Sequence, residues 1–370
     1  MKRLHLILIQ VILLTSLSCF SQETSFMNAD GRFSIGTQSN RTASITLFDI
    51  DMDGDLDALV ANGRHWAEQN YIYYNGGFGG FKLAQPIGRF LAGSYAIKSA
   101  DFNNDGYMDI AVANDNVDNK LYFGSSENSF MKGITFGKKS RSRNLEIADM
   151  DNDGNIDLIL SNRNEKNEIY LNDGTGDFQK RVSFGNDTDQ TIQTKIVDIN
   201  EDGFLDIITA ERNTTNKIYL NDGKLNFSKI LEFGKAEDQT RSIDIGDINN
   251  DGFLDIVTGN LNAANKIFFG SKKLSFKESY SFDIKRETSS IKISDLNKDG
   301  FLDIITGNFE DRNYVYLGSE NGTFKEVGLR EDLKDDTYNI EIGDINGDGF
   351  PDIIESNSGS WNLYYRTRKK

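Results

Sequence analysis

Short apolar runs recur along the chain, each placed directly behind a cluster of oxygen-bearing side chains. In DLNKDGFLDIITG, residues 295 to 307, Asp295, Asn297, Asp299 and Asp303 lead into Ile304, Ile305 and Thr306, a β-branched run that predicts a buried strand. The cluster returns seven times, as DIDMDGDLD, DFNNDGYMD, DMDNDGNID, DINEDGFLD, DINNDGFLD, DLNKDGFLD and DINGDGFPD, with successive first aspartates 52, 48, 49, 49, 48 and 49 residues apart. A period of that size marks stacked supersecondary units, each too small to bury its own apolar face.

A second pattern follows each of the first six clusters, beginning at Asn70, Asn119, Asn167, Asn216, Asn265 and Asn313 and typified by NKIYLNDGKLNF. An alternating aromatic and aliphatic strand runs there into an Asn, Asp or Gly turn and then into a strand opened by Phe, which predicts a hairpin. In the fourth copy the strands are expected at 194–197, 205–210, 217–220 and 227–233. Four antiparallel strands per repeat without helix describe a propeller blade, so the expected fold is all-β, a seven-bladed β-propeller. The last repeat runs out after Trp361 to Tyr365, whereas Asn28 to Phe33 matches the turn and opening Phe of a fourth strand. The N-terminal strand is therefore expected to complete the last blade and close the ring. A parallel β-solenoid with calcium-binding turns is the alternative, but its turns recur about every nine residues.

The clusters carry the candidate chemistry. The loop D-x-[DN]-x-D-G-x-x-D aims side-chain oxygens from positions 1, 3, 5 and 9 at one point, and position 7 adds a backbone carbonyl. The candidate ligands are Asp49, Asp51, Asp53 and Asp57; Asp101, Asn103, Asp105 and Asp109; Asp149, Asp151, Asp153 and Asp157; Asp198, Asn200, Asp202 and Asp206; Asp247, Asn249, Asp251 and Asp255; Asp295, Asn297, Asp299 and Asp303; and Asp344, Asn346, Asp348 and Asp352. Hard oxygen donors without His or Cys suit Ca²⁺, and Gly at position 6 permits the sharp reversal. The first half matches an EF-hand loop, but a strand follows position 9 where that motif carries its Glu at position 12. Up to seven Ca²⁺ are expected, and seven would bring the formal charge from -16 to -2. The carboxylates are tolerable beside a core because the cation offsets them.

Composition limits the remaining classes. With 2 Pro against 34 Gly, 25 Phe and 14 Tyr, the chain suits an aromatic-rich sheet protein with Gly, Asn and Asp turns, and that aromatic content opposes disorder. Lys2 and Arg3, the apolar run Leu4 to Leu14 and the small residues Ser16, Ser18 and Ser21 read as a secretory signal over residues 1–21, followed by a single propeller domain over 22–370. No segment offers the apolar length of a transmembrane helix. The only cysteine, Cys19, leaves with that signal, so the expected product is secreted, periplasmic or associated with the outer membrane, and free of disulfides. Retention and lipidation of Cys19 is the less favoured alternative, because Ser16 stands where such cleavage boxes carry a branched apolar residue. Nucleic acid is excluded as a partner by the charge of -16 and by export. A monomer is expected.

The chain resembles the FG-GAP or VCBS-like repeat family over nearly all of residues 26 to 365. The resemblance rests on the seven loops and on Phe136-Gly137, Phe184-Gly185 and Phe233-Gly234, with Ile35-Gly36 and Ile87-Gly88 in the same role. Phe282-Asp283 and Gly328-Leu329 depart from that pattern. The family's calcium-binding propeller is familiar from the heads of integrin alpha subunits and from secreted bacterial proteins. The resemblance implies a β-propeller, one Ca²⁺ per loop and an extracellular or cell-surface setting, and leaves the function open among lectin-like binding, adhesion and polysaccharide lysis.

Topology locates a candidate working face. Loops alternate between faces of a four-stranded blade, so the loops joining strands two to three and strands four to one are opposite the metal loops. The two-to-three loop of the first repeat, Asn62 to Asn70, is longer than its counterparts and holds Gly63-Arg64-His65-Trp66, and irregular loops often carry function. The candidate ligand-binding residues are Arg64, His65, Trp66, Arg89, Phe90, Arg141, Arg163, Arg212 and Phe309, with Arg41, Arg143 and Arg241 on the same face. Aromatic rings beside guanidinium groups suit sugars bearing carboxylate or sulfate. The competing reading makes Trp66 a plug over the next blade, His65 a solvated side chain and the arginines an ordinary face.

Catalytic equipment is sparse. His65 is the only histidine beyond the signal, which leaves no serine triad, no cysteine nucleophile and no zinc ligand set. The surviving enzyme reading is a lyase for uronate-containing glycans, with His65, Arg64 and Arg89 as candidate groups. The leading expectation is a noncatalytic recognition or adhesion module for glycans or an envelope or cell-surface protein. A lyase and a structural scaffold are the alternatives.

Overall fold

The computed structural model describes residues 23–29, 32–282, 284–330 and 335–369. The expected signal over 1–21, Cys19 within it, and Asp283 lie outside the described residues.

Seven antiparallel sheets form the ring. Each uses its first strand inside and its fourth outside, as in blade three: Ser142–Ala148, Asp157–Asn162, Asn167–Leu171 and Lys180–Phe184. The expected fourth repeat is observed as Thr191–Val197, Asp206–Glu211, Asn216–Leu220 and Lys229–Phe233. Ring closure takes the expected form with one addition. Ser34–Ile35 pairs with Leu363 and Asn362, and Thr24–Met27 also pairs antiparallel with Lys369 to Arg366. Both N-terminal segments therefore lie outside Asn362–Lys369, the third strand of blade seven. The first strand of that blade, Thr337–Gly343, packs against the first strand of blade one, Thr42–Phe48.

The core lies between blades. All six residues of each second strand are buried, as in Asp206–Glu211, so these strands read as continuous apolar runs with no solvent face. Apolar clusters join neighbours. Leu121 and Phe136 of blade two meet Leu145, Leu158 and Tyr170 of blade three. The aromatic contact recurs between blades as Phe184 with Tyr219 at 5.4 Å and Phe233 with Phe268 at 5.3 Å between ring centroids.

A polar girdle runs through this apolar wall. The Asn opening the third strand of one blade donates to the Thr or Ser opening the next first strand: Asn167 to Thr191 at 2.9 Å, Asn216 to Thr240 at 3.1 Å and Asn313 to Thr337 at 2.8 Å. That hydroxyl donates onward to the last residue of its own second strand, as Thr337 does to Asn357 at 2.7 Å. The chain of bonds crosses the seam where Asn362 donates to Thr42 at 3.1 Å. Buried polar groups without partners are costly, so each member enforces its neighbour's position.

Asn362→Ala removes the donor to Thr42 and the acceptor of the Asn357 amide. It should lower stability by about 2 kcal/mol in urea unfolding; a midpoint indistinguishable from wild type would refute the closing role of the girdle.

In blade four the girdle carries Glu211 where the other blades carry Asn. Its Oε1 accepts from Thr191 at 2.8 Å, but Oε2 is buried without a partner. Burial pushes this carboxyl up to about 7. The folded state therefore holds a proton that the unfolded state releases, and stability falls as pH rises from the unfolded value towards 7. Glu211→Gln should be more stable by about 2 to 3 kcal/mol above pH 7, with the gap closing towards pH 5. Thermal melts across that range test the sign; a gap that widens on acidification contradicts it.

Candidate calcium loops and an arginine-lined channel mouth

Each oxygen-rich loop joins the first and second strands of its blade, and all seven share one geometry. The position 1 carboxylate accepts the amides of position 5, at 3.0–3.2 Å, and of position 6, at 2.7–3.0 Å. The position 5 carboxylate accepts the amide of position 7 at 2.9–3.0 Å. Amides thus hold the carboxylates in place without neutralising them.

Position 9 does something the spacing alone did not announce. Asp57, Asp109, Asp157, Asp206, Asp255, Asp303 and Asp352 are all fully buried. One oxygen of each accepts the position 2 amide at 2.9–3.3 Å. The other accepts an amide at the end of the third strand at 2.7–3.0 Å. One carboxylate therefore fastens the loop, the second strand and the third. Burial pushes these groups up, to about 7 for Asp57, Asp157 and Asp303 and about 6 for Asp109, Asp206, Asp255 and Asp352, although backbone donors pull each back.

Two of the loops gather carboxylates in a way that fits a hard cation. Asp49, Asp51 and Asp57 converge, as do Asp149, Asp151 and Asp153, with ligand oxygens within 4.8 Å of one another. These are the two loops with Asp at position 3; the other five place Asn there. Asp51 Oδ1 is buried without a hydrogen-bond partner. Burial and the neighbouring Asp53 carboxylate raise Asp51 above its ordinary value, the mark of like charges gathered with no counter-ion. A bound Ca²⁺ would supply that counter-charge, held by these carboxylates and, in the remaining loops, by Asp with Asn.

On the opposite face the central channel opens into a cavity of about 300 Å³ that runs down its wall as far as Lys98, Glu146, Lys195, Lys292 and Glu341. Of the sequence candidates, His65, Arg163 and Arg212 line it. Arg64 is at its edge, its guanidinium 3.7 Å over the Tyr338 ring and 3.7 Å from Asp336. Phe309 meets Tyr338 at 4.7 Å between centroids, with Arg241 5.0 Å over its ring. Trp66 is 63% exposed, with Arg41 4.9 Å over its ring. It does not plug the next blade, because Trp66 N–H donates to Gly63 O at 2.8 Å and turns the enlarged loop back on itself. Arg89, Phe90 and Arg141 are exposed and do not line the cavity. The outer strand of blade one continues from Phe81 to Ala92, which keeps Arg89 and Phe90 at the ring's edge.

Two tyrosines escaped sequence reasoning. Tyr95 and Tyr338 line the cavity beside Arg143 and Arg241. All four follow the Thr or Ser that opens a first strand, where the pairing register slips in every blade. The extra residue of such a bulge re-aims its side chain. Aligning the repeats shows Ala43, Tyr95, Arg143, Ile192, Arg241, Ser289 and Tyr338 at this position, and that lack of uniformity was the available signal. Deeper in the channel, three ion pairs alternate around the wall: Lys98 with Glu146 at 2.9 Å, Lys195 with Asp244 at 2.8 Å and Lys292 with Glu341 at 3.1 Å. Burial alone would raise Glu146, but Lys98 and Lys195 hold it below its ordinary value.

The FG-GAP-like repeat profile matches residues 49–112, 101–160, 149–209, 198–258, 250–306 and 295–355. The chain belongs to the FG-GAP-like repeat family. No curated protein matches the sequence. Among solved structures, a chain in the crystal structure of BBS1N in complex with ARL6DN, soaked with mercury, is 12% identical with a TM-score of 0.64, covering 93% of this chain and 97% of that one. The lead-soaked crystal gives 12% identity and 0.64, covering 92% and 96%. At that identity the likeness concerns the fold.

The FG of this family has a packing reason here. Phe136 contacts Tyr170 of the next blade, and Gly137, at φ +63°, sits where a Cβ would lie 2.5 Å from the Tyr170 ring. Only glycine fits the backbone and the space together.

A cation held by the folded loops in preference to the unfolded chain stabilises the fold, so calcium should raise the melting temperature. Asp299→Ala should reduce that calcium-dependent rise, whereas Glu320→Ala, at an exposed hairpin turn, should leave it unchanged. Equal effects in calcium and in chelator would refute the assignment of the sixth loop.

Proposed function

We propose that this FG-GAP-like propeller is an exported, calcium-stabilised recognition module that binds a glycan or a cell-surface protein through the face opposite its metal loops. The observation that carries the reading is the cavity at the channel mouth, where four guanidinium groups from three neighbouring blades converge with Tyr95, Tyr338 and His65. The metal loops are occupied with holding strands together on the other face, which leaves this one available. The basic and apolar N-terminal pattern supports export, with lipidation at Cys19 as the alternative route to a surface. Among the described residues, no helix is long and apolar enough to cross a membrane.

One observation favours a lyase as the second reading. The Tyr95 hydroxyl is 3.1 Å from His65 Nδ1, and Arg143 is 4.3 Å over the Tyr95 ring. Burial and the Arg64 charge lower the His65 value, so its imidazole is neutral near pH 7 and able to accept a proton.

A binding screen of residues 22–370 in calcium, against acidic and neutral polysaccharides with ultraviolet absorbance recorded throughout, separates the two. Saturable binding that weakens in Trp66→Ala, with flat absorbance, is the expected result. Growth of unsaturated-uronate absorbance that disappears in His65→Ala would replace recognition with lysis, and absence of any glycan binding would remove the glycan branch.

A further inference from the structure

The arginines at the channel mouth are held in an unusual way. Arg143 is 8% exposed, and one carboxylate, Asp115, meets its Nη1 at 2.9 Å. Its Nη2 is buried with no hydrogen-bond partner, and so are the Nε atoms of Arg64, Arg163 and Arg241. Asp336 pairs with Arg64 at 3.7 Å. Among the described residues, no carboxylate is paired with Arg163, Arg212 or Arg241. The lysines deeper in the channel have their own acids, so this surplus is not compensated from below.

Aromatic faces supplement the single carboxylates at Arg64 and Arg143 and, at Arg241, stand where a counter-ion would be. Arg64 lies 3.7 Å over Tyr338, Arg143 lies 4.3 Å over Tyr95, and Arg241 lies 5.0 Å over Phe309 and 5.1 Å from Tyr338. A ring face attracts a guanidinium without consuming its N–H groups, which point outward in the guanidinium plane. A carboxylate partner would have consumed them. Because Tyr95 and Tyr338 already carry arginines, they serve as supports for the cations and are poorly placed to stack on a sugar. Burial and mutual repulsion hold Arg241 down to about 9 and lower Arg163, which shows the strain of the gathered charges.

We propose that the channel mouth is a binding site for a compact polyanion, a saccharide end bearing two or more sulfate or carboxylate groups, gripped by the remaining N–H groups of Arg143, Arg163, Arg212 and Arg241. Of these, Arg212 commits only its Nε, to Gln239 Oε1 at 3.3 Å, and Arg143 only its Nη1, to Ser142 O and Asp115. This deepens the recognition reading and rests on it. The cavity of about 300 Å³ extends from these arginines down to Lys98, Glu146 and Glu341, a space that suits the end of a saccharide rather than the middle of a polymer. Retained unpaired charges also mean that function here opposes stability.

The test is calorimetric titration of the calcium-loaded chain with three disaccharides: a trisulfated uronate–glucosamine disaccharide, digalacturonate and neutral cellobiose. The expected result is binding of one or both acidic sugars, weakening with added salt, and none of cellobiose. The sulfated and carboxylated arms identify which oxyanion is preferred. Arg241→Gln should reduce affinity at least tenfold, while Arg89→Gln, on the same face but outside the cavity, should not. Folding is checked independently. Arg241→Gln should melt no lower than wild type, and the acidic disaccharide should raise the wild-type melting temperature but not the variant's. Equal losses in the two variants, or no binding of either acidic sugar by folded protein, overturns the proposal. Should cellobiose or a longer neutral glycan bind instead, through Trp66, recognition stands and the polyanion site falls; silence towards all sugars removes the polyanion site and the glycan branch of the recognition reading together.

Discussion

A buried carboxylate at the ninth position of each loop is the constraint on which the molecule depends. Its two oxygens accept amides from the loop and from the end of the third strand, so it fastens three segments at a point no solvent reaches. A carboxylate in that place is expensive unless a cation or strong donors offset it. In the first and third loops neighbouring aspartates gather a candidate site for such a cation, and in every blade the register, the packing of the second strand and the contacts to the next blade follow from fastening the carboxylate there.

Concentrating metal chemistry on one face shapes the other. The bulge that opens each first strand delivers one variable side chain to the channel mouth, and the girdle of Thr and Asn directly behind it stays nearly uniform. A rigid frame with one variable position per blade is a means of assembling a site from several repeats without disturbing any. Arg143, Arg241, Tyr95 and Tyr338 occupy such positions, and the result is a cationic cavity supported on aromatic rings.

Much of this was legible in the sequence because the repeat is strict. The loops fix the start of each second strand to the residue, and Phe33 announces the strand that closes the ring. The outer addition at Thr24–Met27 was not legible, since four residues beside a longer strand carry too little alternation to register. Site residues were harder. Arg163 and Arg212 line the cavity, whereas Arg89 and Phe90 follow an outer strand that extends further than its counterparts. For Trp66 the sequence left a ligand contact and a plug both open; a tight turn, with His65 at φ +68°, directs the loop outward and leaves the ring exposed. Tyr95 and Tyr338 depend on a bulge, and periodicity alone does not reveal where a register slips.

The most direct measurement of the central claim is calcium stoichiometry by equilibrium dialysis of the folded chain. The account predicts uptake approaching seven ions per chain, with the two all-aspartate loops included. A folded chain that takes up no calcium, and unfolds identically in calcium and in chelator, would contradict it.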